Sequence, residues 1–97
     1  MIRENKSITS EFACVKSDFT INYFRLAENE VFLLNSFNEH TAKINDICFF
    51  DKTQYPFENC FITASSDSTL KIWDIRSKSS ATTLKSIPNY YIKLKVE

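Results

Sequence analysis

The sequence predicts an all-β fold of short antiparallel strands, grouped into sheets that are apolar on both faces. Three observations predict it. Short β-type runs recur between polar turns, several of those runs are apolar at successive positions, and a stretch near the N-terminus repeats 49 residues later, from Phe12 to Phe61. No stretch sustains a helical period.

Strands are expected at 12–15, 20–26, 31–37, 43–50, 61–65, 69–75, 81–87 and 90–96, where β-branched and aromatic residues dominate. Turns are expected at 16–18, 27–30, 51–59 (with Pro56), 66–68 and 77–80, where Asn, Asp, Ser and charged residues gather. Runs with polar turns between them form an antiparallel meander. Ile47-Cys48-Phe49-Phe50 and Tyr23-Phe24 place bulky groups at successive positions, and successive side chains point to opposite sides of a sheet. Such a sheet must be covered twice. A propeller blade, packed between two neighbours, meets that condition.

The repeat supports the same architecture. The segment FACVKSDFTINYFRL, from Phe12, lies over FITASSDSTLKIWDI, from Phe61, with Phe, Ser, Asp and Thr coinciding and apolar residues meeting at both flanks. The offset slightly exceeds the ~40–45 residues usual for repeats of this kind, and the 51–59 loop can hold the surplus.

Composition narrows the function classes. Twelve basic and twelve acidic side chains balance, so the chain as a whole carries no mark of a nucleic-acid or membrane-surface binder. The balance hides an asymmetry: residues 1–70 hold 6 basic and 10 acidic groups, and residues 71–97 hold 6 and 2. A solvated basic edge accounts for it. The N-terminal MIRENKSITSE lacks the apolar core of a signal peptide, and the longest aliphatic or aromatic run, Val31-Phe32-Leu33-Leu34, is far short of a membrane span. An intracellular setting, cytoplasmic or nuclear, is therefore expected. Three cysteines without a C-x-x-C pair and a single histidine are too few and too scattered for zinc, so each cysteine is expected as a small apolar filler. The chain has no glycine, which removes the usual phosphate loop, dinucleotide turn and nucleophile elbow. No cofactor, metal or catalytic residue is expected.

From Phe37 the chain reads FNEHTAKINDICFF and then FITASSDSTLKIWDIR. A histidine before one strand, Ser two positions before Asp, and Trp-Asp six positions further on resemble the WD40 repeat of β-propeller proteins, over residues 37–76. The resemblance implies antiparallel four-stranded blades of a WD40 β-propeller, incomplete in this chain. It also implies a hydrogen-bonded structural tetrad, whose matching positions are His40, Ser65, Asp67 and Trp73. The chemistry suits that role: imidazole can donate to the Asp67 carboxylate and contact the Ser65 hydroxyl, which can accept the donor-only indole N–H.

The sequence departs from the family at three places. Glu39-His40 replaces Gly-His, and Asp67-Ser68 replaces Asp-Gly, so Ser68 is strained if that turn needs a positive φ. The first copy has Lys16 for Ser65 and Phe24 for Trp73, so it is expected to rely on packing, with Asp18 alone kept from the tetrad. The implied organisation is a polar segment over 1–11, a degenerate blade over 12–37, a well-formed repeat over 38–87 and the start of a further blade over 88–97. The missing blades are expected from a longer chain or another copy, since propellers hold about 4–8 blades.

Ser65, His40 and Asp67 are also the residue types of a hydrolase triad, but no glycine-lined turn exists to expose a nucleophile, so a structural role is expected. The resemblance implies a non-catalytic scaffold that binds other proteins. A sharper variant is a substrate receptor of a cullin-4 ubiquitin ligase, because Trp73-Asp74-Ile75-Arg76 matches the Trp-Asp-x-Arg end through which such receptors contact the ligase adaptor. Asp74 and Arg76 are then the partner-binding candidates. A third variant is a WD40 subunit of an RNA-processing or ribosome-assembly particle, in which Tyr90 and Tyr91 of the basic segment stack on bases.

Overall fold

The computed structural model describes residues 1–6, 10–51 and 59–85. Among these the chain forms eight strands and no helix. β1 (Ile2–Glu4), β2 (Glu11–Val15), β3 (Ile21–Ala27) and β4 (Glu30–Phe37) form one antiparallel sheet in chain order. β5 (Ile44–Phe49), β6 (Cys60–Ser65), β7 (Thr69–Asp74) and β8 (Ser80–Lys85) form a second of the same order.

Seven strands fall where the pattern predicts them. β1 does not: it pairs with β2 through Ile2↔Cys14 and Glu4↔Phe12, inside the segment read as a polar lead. Three residues with one apolar side chain carry no legible period, and backbone pairing makes the strand. The first sheet thus begins at Ile2, ten residues before the expected blade boundary. The strand expected at 90–96 lies outside the described residues.

Turn chemistry explains the strand ends. At the β2–β3 turn the Phe19 N–H donates to Lys16 O (3.0 Å) and Phe19 has φ 69°. At the β6–β7 turn Ser68 donates to Ser65 O (3.2 Å) with φ 68°. Both are three-residue hairpins, a tight turn followed by one left-handed residue. In both, the carboxylate three residues into the turn seals it: Asp18 accepts from the Thr20 N–H at 3.1 Å and Asp67 from the Thr69 N–H at 3.0 Å. The two turns obey the 49-residue offset residue for residue. The β3–β4 turn instead uses Glu28 and Asn29, both at positive φ, as the two-residue turn that matches strand twist.

The core lies between the sheets. Ala13, Ile21, Tyr23 and Phe37 of the first sheet meet Ile44, Ile47, Phe61 and Trp73 of the second. Phe37 sits 4.9 Å from the Trp73 ring and 5.7 Å from Phe61, while Tyr23 stacks on Phe61 at 6.2 Å. Such rings contribute about 0.5–1.5 kcal/mol per pair beyond their buried area. Polar clasps join the sheets at their margins. Asn35 donates to the Ile75 and Ser77 carbonyls, and Arg3 faces Asp46 at 3.7 Å.

Candidate functional site

A chain of buried polar groups crosses the second sheet. His40 stands in the segment before β5, Asp67 in the β6–β7 turn, Thr63 on β6 and Trp73 on β7. His40 Nδ1 lies 2.8 Å from Asp67 Oδ2, and Nε2 lies 2.6 Å from Thr63 Oγ1. The Trp73 indole donates to the same Thr63 oxygen at 2.9 Å. Thr63 and Trp73 are wholly buried.

The ionised Asp67 carboxylate can only accept, so His40 Nδ1 carries a proton and donates it to Asp67. In the neutral ring Nε2 is bare and accepts from the Thr63 hydroxyl, whose oxygen in turn accepts the indole N–H. Electrostatics agree. Burial pulls the His40 pKa below its ordinary value and outweighs the opposing pull of Asp67. For Asp67, burial acts upward but is outweighed by bonds from the Thr69 hydroxyl, His40 and the Thr41 N–H, which bring its pKa down to about 2. Asp67 is the hub: it also accepts from Thr69 Oγ1 at 2.5 Å and Thr41 N at 3.1 Å.

Three of the four expected tetrad members, His40, Asp67 and Trp73, join this network. Ser65 does not take the expected place between imidazole and indole. Its hydroxyl sits 3.0 Å from both Ala42 O and Lys43 O and accepts from the Asp67 N–H at 3.1 Å. Thr63 holds the position assigned to Ser65. The two are i and i+2 on one strand, so both face the same side of the sheet. Register separates them: Trp73 pairs with Phe61, so Thr63 is the diagonal neighbour within reach and Ser65 is one step too far.

Thr63, His40 and Asp67 thus have the connectivity of a hydroxyl–imidazole–carboxylate triad. The hydroxyl, however, has 0% exposure and its acceptor capacity faces Trp73. Around this relay Lys71, largely buried, faces Glu39 at 3.6 Å, and Glu39 accepts from the Ser80 N–H and hydroxyl at 2.8 Å. Glu39 therefore clasps β8 to the segment that carries His40. Burial pushes its pKa up, but the Ser80 bonds and the Lys71 charge bring it below the ordinary value.

The first sheet lacks the relay. Cys14 occupies the position equivalent to Thr63, Lys16 that of Ser65 and Phe24 that of Trp73. Asp18 keeps its turn bond and faces Lys16 at 3.9 Å. A different polar link appears on the opposite face: Asn5 donates to the Tyr23 hydroxyl at 3.1 Å, and that hydroxyl donates to Glu11 at 2.5 Å. Burial pushes the Tyr23 pKa well up. The degenerate copy therefore rests on packing plus this link, which the sequence pattern does not reveal.

Asp74 is the last residue of β7, and Arg76 lies two residues past it. Arg76 Nε is 3.4 Å from Asp74 Oδ1, which also accepts the Arg76 backbone N–H at 2.9 Å. The arginine side chain is 72% exposed. No group of His, Cys, Asp and Glu among the described residues is placed to hold a metal ion.

Repeated four-stranded antiparallel sheets, stacked face to face and each closed by the same hairpin, define a β-repeat protein, with a buried imidazole relay fixing one repeat. The profile of the family described as WD domain, G-beta repeat matches residues 32–74. The chain is also 36% identical, over 69 residues that make up 71% of its length, to WD repeat-containing protein 82 of Drosophila melanogaster. It spans about a fifth of the length of that relative, 20%. The chain belongs to the WD40 repeat family, and its two sheets are blades of an incomplete WD40 propeller.

Proposed function

We propose that the chain acts inside the cell as a non-catalytic protein–protein interaction scaffold. The observation that carries this reading is the closed relay. Every polar atom from Trp73 through Thr63 and His40 to Asp67 has a partner within the fold, so the triad-like groups are committed to holding strands together. What the repeat offers outward is turns and strand margins, the parts of a rigid scaffold that bind. Family membership supports the reading, because fold alone would not specify it. The test is quantitative binding to purified candidate partners beside turnover of ester and phosphoester substrates. Saturable binding without turnover is expected. Turnover abolished by Thr63→Val, with no saturable partner, would overturn the reading.

The finer reading is an adaptor contact of the cullin-4 type through Asp74 and Arg76. Its support is the exposed guanidinium, oriented by Asp74 at the outer corner of the second blade. Purified adaptor should bind the parent and lose at least tenfold in affinity to Arg76→Ala, and equal affinities would remove this reading. The RNA-particle reading draws on Tyr90 and Tyr91, which lie outside the described residues, so no described contact favours it.

A further inference from the structure

A cleft of about 460 Å³ opens where the start of β1, the β2–β3 turn and the entry to β5 come together. It lies between the two sheets and not on their outer faces, where further propeller blades pack. Its lining carries three cations, Arg3, Lys16 and Lys43, one from each of these pieces of chain, and no Asp or Glu. Val15, Phe19 and Ile44 give it an apolar wall. A concave apolar site with a few convergent polar groups is the usual form of a ligand pocket.

The cations are held in place but lightly engaged. Lys16 stands where the second repeat has Ser65, whose hydroxyl ties the β6–β7 turn to the Ala42 and Lys43 carbonyls. In the first repeat the Lys16 backbone holds its own turn, donating to Thr20 O at 2.9 Å and accepting from the Phe19 N–H at 3.0 Å. Its side chain is thereby left to the cleft. Lys43 is exposed, and its carbonyl is fixed by the Ser66 N–H at 2.8 Å. Lys16 faces Asp18 at 3.9 Å and Arg3 faces Asp46 at 3.7 Å, and neither carboxylate lines the cleft. Exposed pairs of this kind hold weakly, so an incoming anion can exchange with them.

Phe19 supplies an independent observation. An aromatic side chain at φ 69° occupies the left-handed region that bulky residues avoid, at the turn position filled by Ser68 in the second repeat. Strain of this kind gathers at ligand clamps, and here it sets a ring against the cleft.

We infer that this cleft takes an acidic segment of a partner protein, with a Glu or Asp carboxylate among Arg3, Lys16 and Lys43 and an adjacent apolar side chain against Val15, Phe19 and Ile44. The inference rests on the scaffold reading and states which chemistry the scaffold binds. A peptide fits better than a nucleic acid, because the charges converge on one apolar hollow and form no basic track for a phosphate backbone.

Fluorescence anisotropy of short labelled peptides on the full chain tests it, with circular dichroism as the folding control. A peptide alternating glutamate and leucine is expected to bind saturably, and about tenfold more tightly than its glutamine–leucine and glutamate–serine counterparts. Lys16→Gln and Lys43→Gln, both at exposed positions, should each weaken binding roughly three- to tenfold and flatten its salt dependence. Arg25→Gln removes an equal charge outside the cleft and should leave binding unchanged. A parent that shows no saturable binding overturns the proposal. Equal weakening by Arg25→Gln, indifference to both lysines, or tighter binding of oligouridylate through the same lysines overturns it too. A partner protein that binds the parent and the doubly substituted chain equally removes the cleft and leaves the scaffold standing. Turnover without any partner removes the scaffold, and the role of the cleft with it.

Discussion

The Trp73 indole donates to the Thr63 hydroxyl at 2.9 Å, and this bond turns two neighbouring strands into one polar unit with His40. Thr63→Val keeps the shape and strips both the acceptor for the indole and the donor for the imidazole. A buried polar group left unpaired costs about 1–3 kcal/mol, so losing both partners is expected to cost about 2–5 kcal/mol. Ser65→Ala, which removes turn bonds and leaves the relay intact, is expected to cost less. Denaturant melts compare the two, and a larger loss for Ser65→Ala would restore that serine to the central place.

Asp67→Asn keeps the size of the hub and removes its charge. The His40 and Thr41 N–H groups then face a weaker acceptor, and a loss of about 1–3 kcal/mol is expected. Asp18→Asn, at the equivalent turn, weakens one backbone bond and a surface pairing with Lys16, so it is expected to cost well under half as much. Equal losses would mean that the relay adds nothing to the turn.

Acid should destabilise the fold in two steps. The folded His40 pKa lies below 6.5, so the unfolded chain takes up that proton first, and this contribution is full above about pH 6.5 and lost as pH falls through the lower folded value. Asp67, at about 2 against 3.8, adds a second loss between about pH 4 and pH 2. His40 is the sole histidine, so its ring signals can be followed by NMR without ambiguity. A titration midpoint above 6.5 would sink the neutral-imidazole assignment.

Ser68 holds φ 68° with a side chain that disfavours it. Ser68→Gly is expected to raise stability by about 0.5–1 kcal/mol, less the extra freedom glycine has when unfolded, and Ser68→Val to lower it. Thermal melts of the pair check this. A glycine variant less stable than the serine would show that the hydroxyl contributes more than the backbone strain removes.

Seven strands, the hairpin offset and three relay members were legible because each leaves a local mark: alternation, turn residues, or a histidine, aspartate and tryptophan at family spacing. The choice between Thr63 and Ser65 was not. Both hydroxyls share a face, and only the cross-strand register brings one of them to the indole. β1 was hidden for a related reason, since Ile2–Glu4 gains its order from pairing with β2 and not from its own composition. The Asn5–Tyr23–Glu11 link joins residues up to 18 apart with no family signature to point at them. The strain at Ser68 was readable as a condition, because Asp-Ser in place of Asp-Gly names the position where a Cβ would be unwelcome.

Asn35 bridges to carbonyls that follow it by 40 and 42 residues, and it is the first sheet that completes the β7–β8 turn of the second. Synthesis runs in the other direction of dependence. The first sheet leaves the ribosome with Tyr23 and Phe37 already made and their cover not yet translated. At roughly 5–20 residues per second, Asn35 waits about 2–8 s for its acceptors. During that interval the aromatic side of the nascent sheet is open to chaperones, or to a neighbouring nascent chain on the same message.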